Sequence, residues 1–131
     1  MTVHTKQLFF LINDEPLDSD THVISLGGEL DLHAAPDLRE RMSTLINEGK
    51  SLLIDLTQAT FIDSSAIGVL VGGLKRLRES GGRMVLACEH PNILAVFEIT
   101  GLDRTFSIHG SREDAVAALR RGEGEPNVDG R

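Results

Sequence analysis

The sequence predicts an α/β fold: one domain built on a mixed, mostly parallel β-sheet of about five strands with about four helices. Three observations lead there. Short β-rich or continuously aliphatic runs alternate with segments of helical periodicity, the pattern of strand–helix–strand units around a parallel sheet. That alternation is preceded by two β-rich runs with only turn formers between them, which adds an antiparallel pair at one edge. The chain has 131 residues, 40% hydrophobic and 25% charged, enough for one ordinary domain with a real core.

The opening runs "QLFFLI" and "HVISLGG" read as strands joined by the turn-rich "NDEPLDSDT". After "GELDLH", the stretch "AAPDLRERMSTLINEG" places Ala35, Leu38, Met42, Leu45 and Ile46 at helical spacing. Pro36 is acceptable in a first turn and Gly49 reads as the stop. "SLLIDL" is almost continuously aliphatic, as a strand covered on both faces is. Residues 64 to 79 predict a second helix, and "GGRMVLAC" a buried strand. "PNILAVFEITG" opens on Pro91 and closes on Gly101, the punctuation of a short helix, and "TFSI" is a last short strand. Ser111, with Asp114 three residues on, starts a final helix through Ala115, Val116, Ala118 and Leu119. The domain is expected over residues 6–119. The tail from 120 to 131, "RRGEGEPNVDGR", is rich in Gly, Pro and charge, and disorder is expected from about Gly122 onward.

Composition removes several classes of function. Thirteen basic against twenty acidic residues give a net charge of −7, which argues against binding a nucleic-acid backbone. Five Phe, with no Trp or Tyr, leave little for stacking bases or sugars. Cys88 is the single cysteine, so neither an intramolecular disulfide nor a cysteine-paired zinc site is available. The apolar run Leu8 to Ile12 is too short for a signal-peptide core or a membrane span. The expectation is a cytoplasmic protein without membrane or nucleic-acid partners, cofactor or metal.

The unusual stretch is "TFIDSSAIGVLVGG", residues 60 to 73. Each glycine in a helix interior costs about 1 kcal/mol against alanine, and here Gly68, Gly72 and Gly73 fall within one helix. At 100° per residue, Ile67, Leu70, Val71, Leu74 and Leu77 form the sheet-facing stripe. Ser65, Gly68, Val69, Gly72, Gly73 and Arg76 lie opposite, a nearly bare face that lets another backbone approach closely. Either another element of the same domain packs there, or a partner docks there; with few elements left to cover it, docking is the preferred reading. At the start of this helix, Asp63 or Ser64 is the expected N-cap, and an exposed hydroxyl there is a good phosphate acceptor. A phosphate would add about −1.5 to −2 charges beside Asp63 and could switch docking off.

The segments "GGELDLHAAPDL", "LLIDLTQATFIDSSAIGVL", "GGRMVLACEHPNILAVFEITGL" and the final helix together resemble the STAS domain of bacterial anti-sigma factor antagonists. The resemblance spans roughly residues 6–119. It implies a non-enzymatic switch that binds an anti-sigma factor with serine kinase activity and so releases a sigma factor. Phosphorylation of the serine directly after the aspartate, here Ser64, ends the interaction, and a phosphatase restores it. The resemblance also places Asp31, of "GELD", near that serine on the partner-facing surface. Asp63, Ser65, Gly68, Val69 and Gly72 complete the expected partner-binding set. One departure stands out: the family usually has glycine after the two serines, where this chain has Ala66.

Three other readings compete for the same residues. A phosphoaspartate receiver would use Asp55 with Asp14 and Glu15, but "TFSIHG" lacks the lysine that follows a receiver's last strand. A serine hydrolase would pair Ser64 or Ser65 with a histidine; only His33 comes near, and there is no G-x-S-x-G elbow. A STAS scaffold or sensing module in a larger assembly uses the same fold. No G-x-x-x-x-G-K-[ST] loop supports nucleotide binding, and Lys75, Arg76, Arg78 and Arg83 read as the solvated end of a helix.

Overall fold

The computed structural model describes residues 10–123; residues 6–9 of the expected domain and 124–131 of the expected tail lie outside them. The chain opens with an antiparallel hairpin, β1 (Phe10–Pro16) and β2 (Thr21–Leu30), registered from Phe10 opposite Gly28 to Pro16 opposite His22. The turn is shorter than the sequence suggested, because "NDEP" belongs to β1 rather than to the loop. β1 lies at the sheet edge, where Pro16 forfeits no ladder hydrogen bond and the charges of Asp14 and Glu15 discourage further pairing. The turn itself closes through Leu17 N–H to the Thr21 carbonyl at 2.8 Å and Asp20 N–H to Asp18 Oδ1 at 2.8 Å.

Three crossovers follow: α1 (Ala35–Asn47) to β3 (Ser51–Ile62), α2 (Ser64–Ser80) to β4 (Met84–Ala87), and α3 (Pro91–Ile99) to β5 (Ser107–His109). A short 3-10 turn, Leu102–Arg104, precedes β5, and α4 (Arg112–Arg120) closes the described chain. The sheet order is β1-β2-β3-β4-β5, with every pair after the hairpin parallel. Because the strands always step in one direction, crossovers of one hand deliver α1, α2 and α3 to the same face. α4 covers the other. β3 shows the division: Leu52, Ile54 and Leu56 join the large core under α1–α3, while Leu53 joins Val23, Val85, Ala87, Ala115 and Leu119 under α4.

The five expected core residues of α1, Ala35, Leu38, Met42, Leu45 and Ile46, are its buried set, and Gly49 follows the helix with φ +81°. Both central strands run further than expected. β2 continues past "HVISLGG" through Leu30 and β3 past "SLLIDL" through "TQATFI", paired from Gly27–Gln58 to Leu30–Ile62. One register irregularity falls just before Gly27 and a second between Gly28 and Glu29. Gly28 sits at the second irregularity with φ +79°, a backbone region that glycine alone enters freely. The extension carries both strands to a common end, and the candidate site residues begin there.

Candidate functional site

Leu30 and Ile62 are the last paired residues of β2 and β3, and the Asp63 N–H donates to the Leu30 carbonyl at 3.0 Å. Asp31 and Asp63 therefore follow side by side at the carboxyl ends of adjacent parallel strands, where open α/β sheets present their sites. Each aspartate organises the helix that follows it. Asp31 accepts the His33 N–H on Oδ1 at 2.9 Å, and its carbonyl accepts from Ala34 at 3.0 Å and Ala35 at 3.2 Å. The His33 amide, aided by the His33 ring 3.5 Å away, holds the Asp31 carboxyl below the usual carboxylate range.

Asp63 is the N-cap of α2. Its φ of −111° and ψ of −178° are extended, and Oδ1 accepts the N–H groups of Ser65 at 2.9 Å and Ala66 at 3.2 Å. Of the two capping candidates the aspartate takes the role, which releases Ser64. Ser64 and Ser65 occupy the first two helical positions, both exposed, and among the described residues neither hydroxyl makes a hydrogen bond. A free hydroxyl thus stands at the positive end of a 17-residue helix. Ala66 is fully buried, so the departure from the family's glycine lies inside the domain and not on its surface.

The outward face of α2 divides differently from the wheel. Gly68 and Gly72 are open: a Cβ built on either meets nothing within 4 Å. Val69 is a correction, since it is buried at 4% exposure, and Gly73 is buried as well. α1 packs beside α2, so a Cβ on Gly73 would run into the methyl of Met42, itself fully buried. Domain packing explains Gly73, and among the described residues nothing explains Gly68 or Gly72. Val71, expected against the sheet, is half-buried instead. Between α1 and α2 runs a groove of about 230 Å³, lined by Arg39, Ser43, Gly68, Val69, Gly72, Gly73 and Arg76.

This division makes opposite predictions for two alanine substitutions. Gly68→Ala gains helix propensity with no clash and raises stability by about 0.5–1 kcal/mol, roughly 3 °C in Tm. Gly73→Ala gains the same propensity but overpacks against Met42, a cost of about 1–3 kcal/mol, so Tm falls or stays level. Thermal melts of the two variants check both signs; a stabilising Gly73→Ala would mean that α1 does not hold Met42 against this position.

Two apolar side chains beside the aspartates escaped the sequence reading. Leu32 follows Asp31 at 60% exposure and Phe61 precedes Ile62 at 47%. Both lie in stretches that the sequence reading assigned to no element, and only their nearness to the two aspartates in sequence could have drawn notice.

The competing chemistries find no support in the geometry. Asp55 is buried, accepts from Thr57 N–H at 2.9 Å and Oγ1 at 2.7 Å, and pairs with Arg112 Nε at 3.0 Å, whereas a phosphoacceptor must be open. His33 contacts Asp31 rather than a serine. Ser107 Oγ lies 2.9 Å from His109 Nε2, yet Glu123 Oε1 approaches that same nitrogen at 3.4 Å, so no second nitrogen is oriented as a triad requires. Among the described residues no helix is long and apolar enough to cross a membrane.

A mixed five-stranded sheet with three crossover helices on one face, and a serine-bearing helix start at its carboxyl end, define a small α/β domain whose candidate site is a surface rather than a cleft. The chain belongs to the STAS domain family, whose pattern matches residues 16–115. It is similar to the anti-sigma-B factor antagonist of Bacillus subtilis (strain 168), at 33% identity over 93 residues, covering 71% of this chain and 85% of that protein. Among solved structures it resembles an anti-sigma factor antagonist from Mycobacterium paratuberculosis, with TM-score 0.77, 26% identity, and coverage of 85% of this chain and 94% of the other. The Bacillus cell fate determinant SpoIIAA in its phosphorylated form superposes with TM-score 0.69 at 30% identity, covering 84% of this chain and 100% of that one.

Proposed function

We propose that this chain is an anti-sigma factor antagonist, a binding protein and not an enzyme. It acts in the cytoplasm on an anti-sigma factor that is also a serine kinase, and phosphorylation of Ser64 switches it off. The observation that carries the reading is the Ser64 hydroxyl, exposed at the first position of α2 because Asp63 does the capping. In unmodified protein the contact face comprises Asp31, Asp63, Ser65, Gly68 and Gly72, with Leu32 and Phe61 as apolar anchors at its edge. Val69 contributes as the floor of the groove rather than as an exposed contact. A phosphate on Ser64 stands at the positive end of the α2 dipole, which favours negative charge, so the fold tolerates it. The same phosphate sets a second negative group beside Asp63 and must be stripped of water for a partner to close over it, so docking is lost. A phosphatase acting on Ser64 returns the chain to its binding form. The names of the relatives support the antagonist role, and the phosphorylated SpoIIAA structure supports a phosphorylated form of the fold.

The test is a pull-down from the native cell with Ser64→Ala and Ser64→Asp proteins as baits and mass spectrometry as the readout. A small ATP-binding kinase held by Ser64→Ala and lost by Ser64→Asp is the expected result. Equal capture of that kinase by both baits would move the switch away from Ser64, with Ser65 next in line. Capture of other STAS proteins by both, with no kinase, would replace the switch with a scaffold.

A further inference from the structure

The groove between α1 and α2 has a charge of its own. Arg39 and Arg76 line it together with Gly68, Gly72 and Ser43, and no carboxylate does. Arg39 is exposed and has no hydrogen-bond or ion-pair partner among the described residues. The Arg76 guanidinium is half-buried and reaches a neutral group, Ser43 Oγ, at 3.0 Å. Three other arginines are neutralised: Arg41 by Asp37 and Asp14, Arg112 by Asp55 and Glu15, and Arg121 by Glu123. Arg78, Arg104 and Arg120 make no ion pair among the described residues but do not line this groove. In a chain of net charge −7, two uncompensated guanidiniums facing one groove mark a local reversal of sign. Guanidinium forks bind carboxylates in two-point contacts, and the open backbone at Gly68 and Gly72 lets a third helix lie close.

We infer that this groove receives a helical segment of the anti-sigma factor that presents acidic side chains to Arg39 and Arg76. The inference rests on the proposed function and adds the chemistry of the partner's contacting surface. Arg39 and Arg76 fix where along α2 the partner helix lies, and the serine end of α2 then falls against the remainder of that partner. Against the chain's net charge of −7, the groove offers an acidic segment a local site of attraction.

Isothermal titration of the purified chain with its purified anti-sigma factor, at about 50 mM and 300 mM salt, tests it. Arg39→Glu, at a side chain without partners, folds normally and is expected to weaken binding about tenfold at low salt. The double variant Arg39→Glu/Arg76→Glu is expected to lose about 100-fold and to show a flatter salt dependence than the parent. Melting curves confirm that each variant is folded. Parent-like affinity and salt dependence in both variants would overturn the groove while leaving the antagonist reading intact. Failure of the unsubstituted protein to bind at either salt would overturn the antagonist reading, and the groove inference with it.

Discussion

Gly72→Glu is expected to abolish binding of the anti-sigma factor, by at least about 100-fold, while leaving the chain folded and slightly more stable. The two effects have opposite signs because they arise in different states of the molecule. In the free chain a Cβ at position 72 meets nothing within 4 Å, so the substitution needs no rearrangement. Glutamate is a better helix former than glycine by roughly 0.5–1 kcal/mol. A carboxylate at position 72 also stands four residues before Arg76, an orientation that adds about 0.3–0.5 kcal/mol. In the complex the same side chain occupies the space that the bare backbone left for the partner. It also supplies the groove with its own carboxylate and so competes for the arginines that would hold the partner's acidic residues. A Gly72→Ala control separates bulk from charge: it should stabilise the chain by a similar amount and weaken binding less. Calorimetric titration together with thermal melts reads both quantities. A folded, stabilised Gly72→Glu protein that binds like the parent would show that α2 is not the contact helix, and the glycines would lose their explanation.

That glycine pair also shows where sequence reasoning worked and where it stopped. The five buried residues of α1 were legible because amphipathic spacing is local and the sheet and α2 both meet one continuous apolar stripe of α1. The cap of α4 was legible for the same reason, with Ser111 accepting from the Asp114 N–H at 3.1 Å as its spacing suggested. The reading left the cap of α2 between Asp63 and Ser64, however, and did not find His90 capping α3. α2 is covered on two sides, by the sheet and by α1, and a helical wheel divides a helix into only two faces. Val69 and Gly73 therefore fell on the wrong side of that division. The strand extensions failed for a different reason. "TQATFI" has weak alternation of its own and becomes strand because β2 pairs with it across two irregularities, a long-range fact. Asp31 and Asp63 were both picked out, yet only the Leu30–Ile62 pairing brings them side by side. The partners of Asp55 were out of reach, since Arg112 lies 57 residues away in sequence.

Arg112→Met is expected to destabilise the fold by about 2 kcal/mol without altering partner affinity at temperatures where the variant is folded. Arg112 is the first residue of α4 and ties that helix to three strands at once: Asp55 of β3 at 3.0 Å, Glu15 of β1 at 3.0 Å and the Ser25 hydroxyl of β2 at 2.8 Å. α4 is the one helix on its face among the described residues, so these contacts fix where it sits. Removing one member of a buried ion pair costs about 3–5 kcal/mol, and the expected value is set lower because the Arg112 side chain is 38% exposed. The cost arises mainly from Asp55, which is left charged and buried. Burial alone would raise its carboxyl, but the Thr57 hydroxyl and amide, followed by Arg112, outweigh burial and hold it below the usual range. A carboxyl depressed in the folded state contributes stability that is fully present above its unfolded value, about pH 4, and is lost as pH falls through the lower folded value. The parent should therefore lose stability on acidification below about pH 4, and Arg112→Met should show a shallower loss because Asp55 is then depressed less. Neutralising the stranded charge should recover part of the damage: Asp55→Asn/Arg112→Met is expected to be more stable at pH 7 than Arg112→Met alone. Urea titrations of the parent, both single variants and the double variant at pH 7 and pH 3.5 complete the cycle. A change under about 0.5 kcal/mol for Arg112→Met, or a double variant weaker than both singles combined, would mean that α4 is held by Ala115, Ala118 and Leu119 rather than by its charged end.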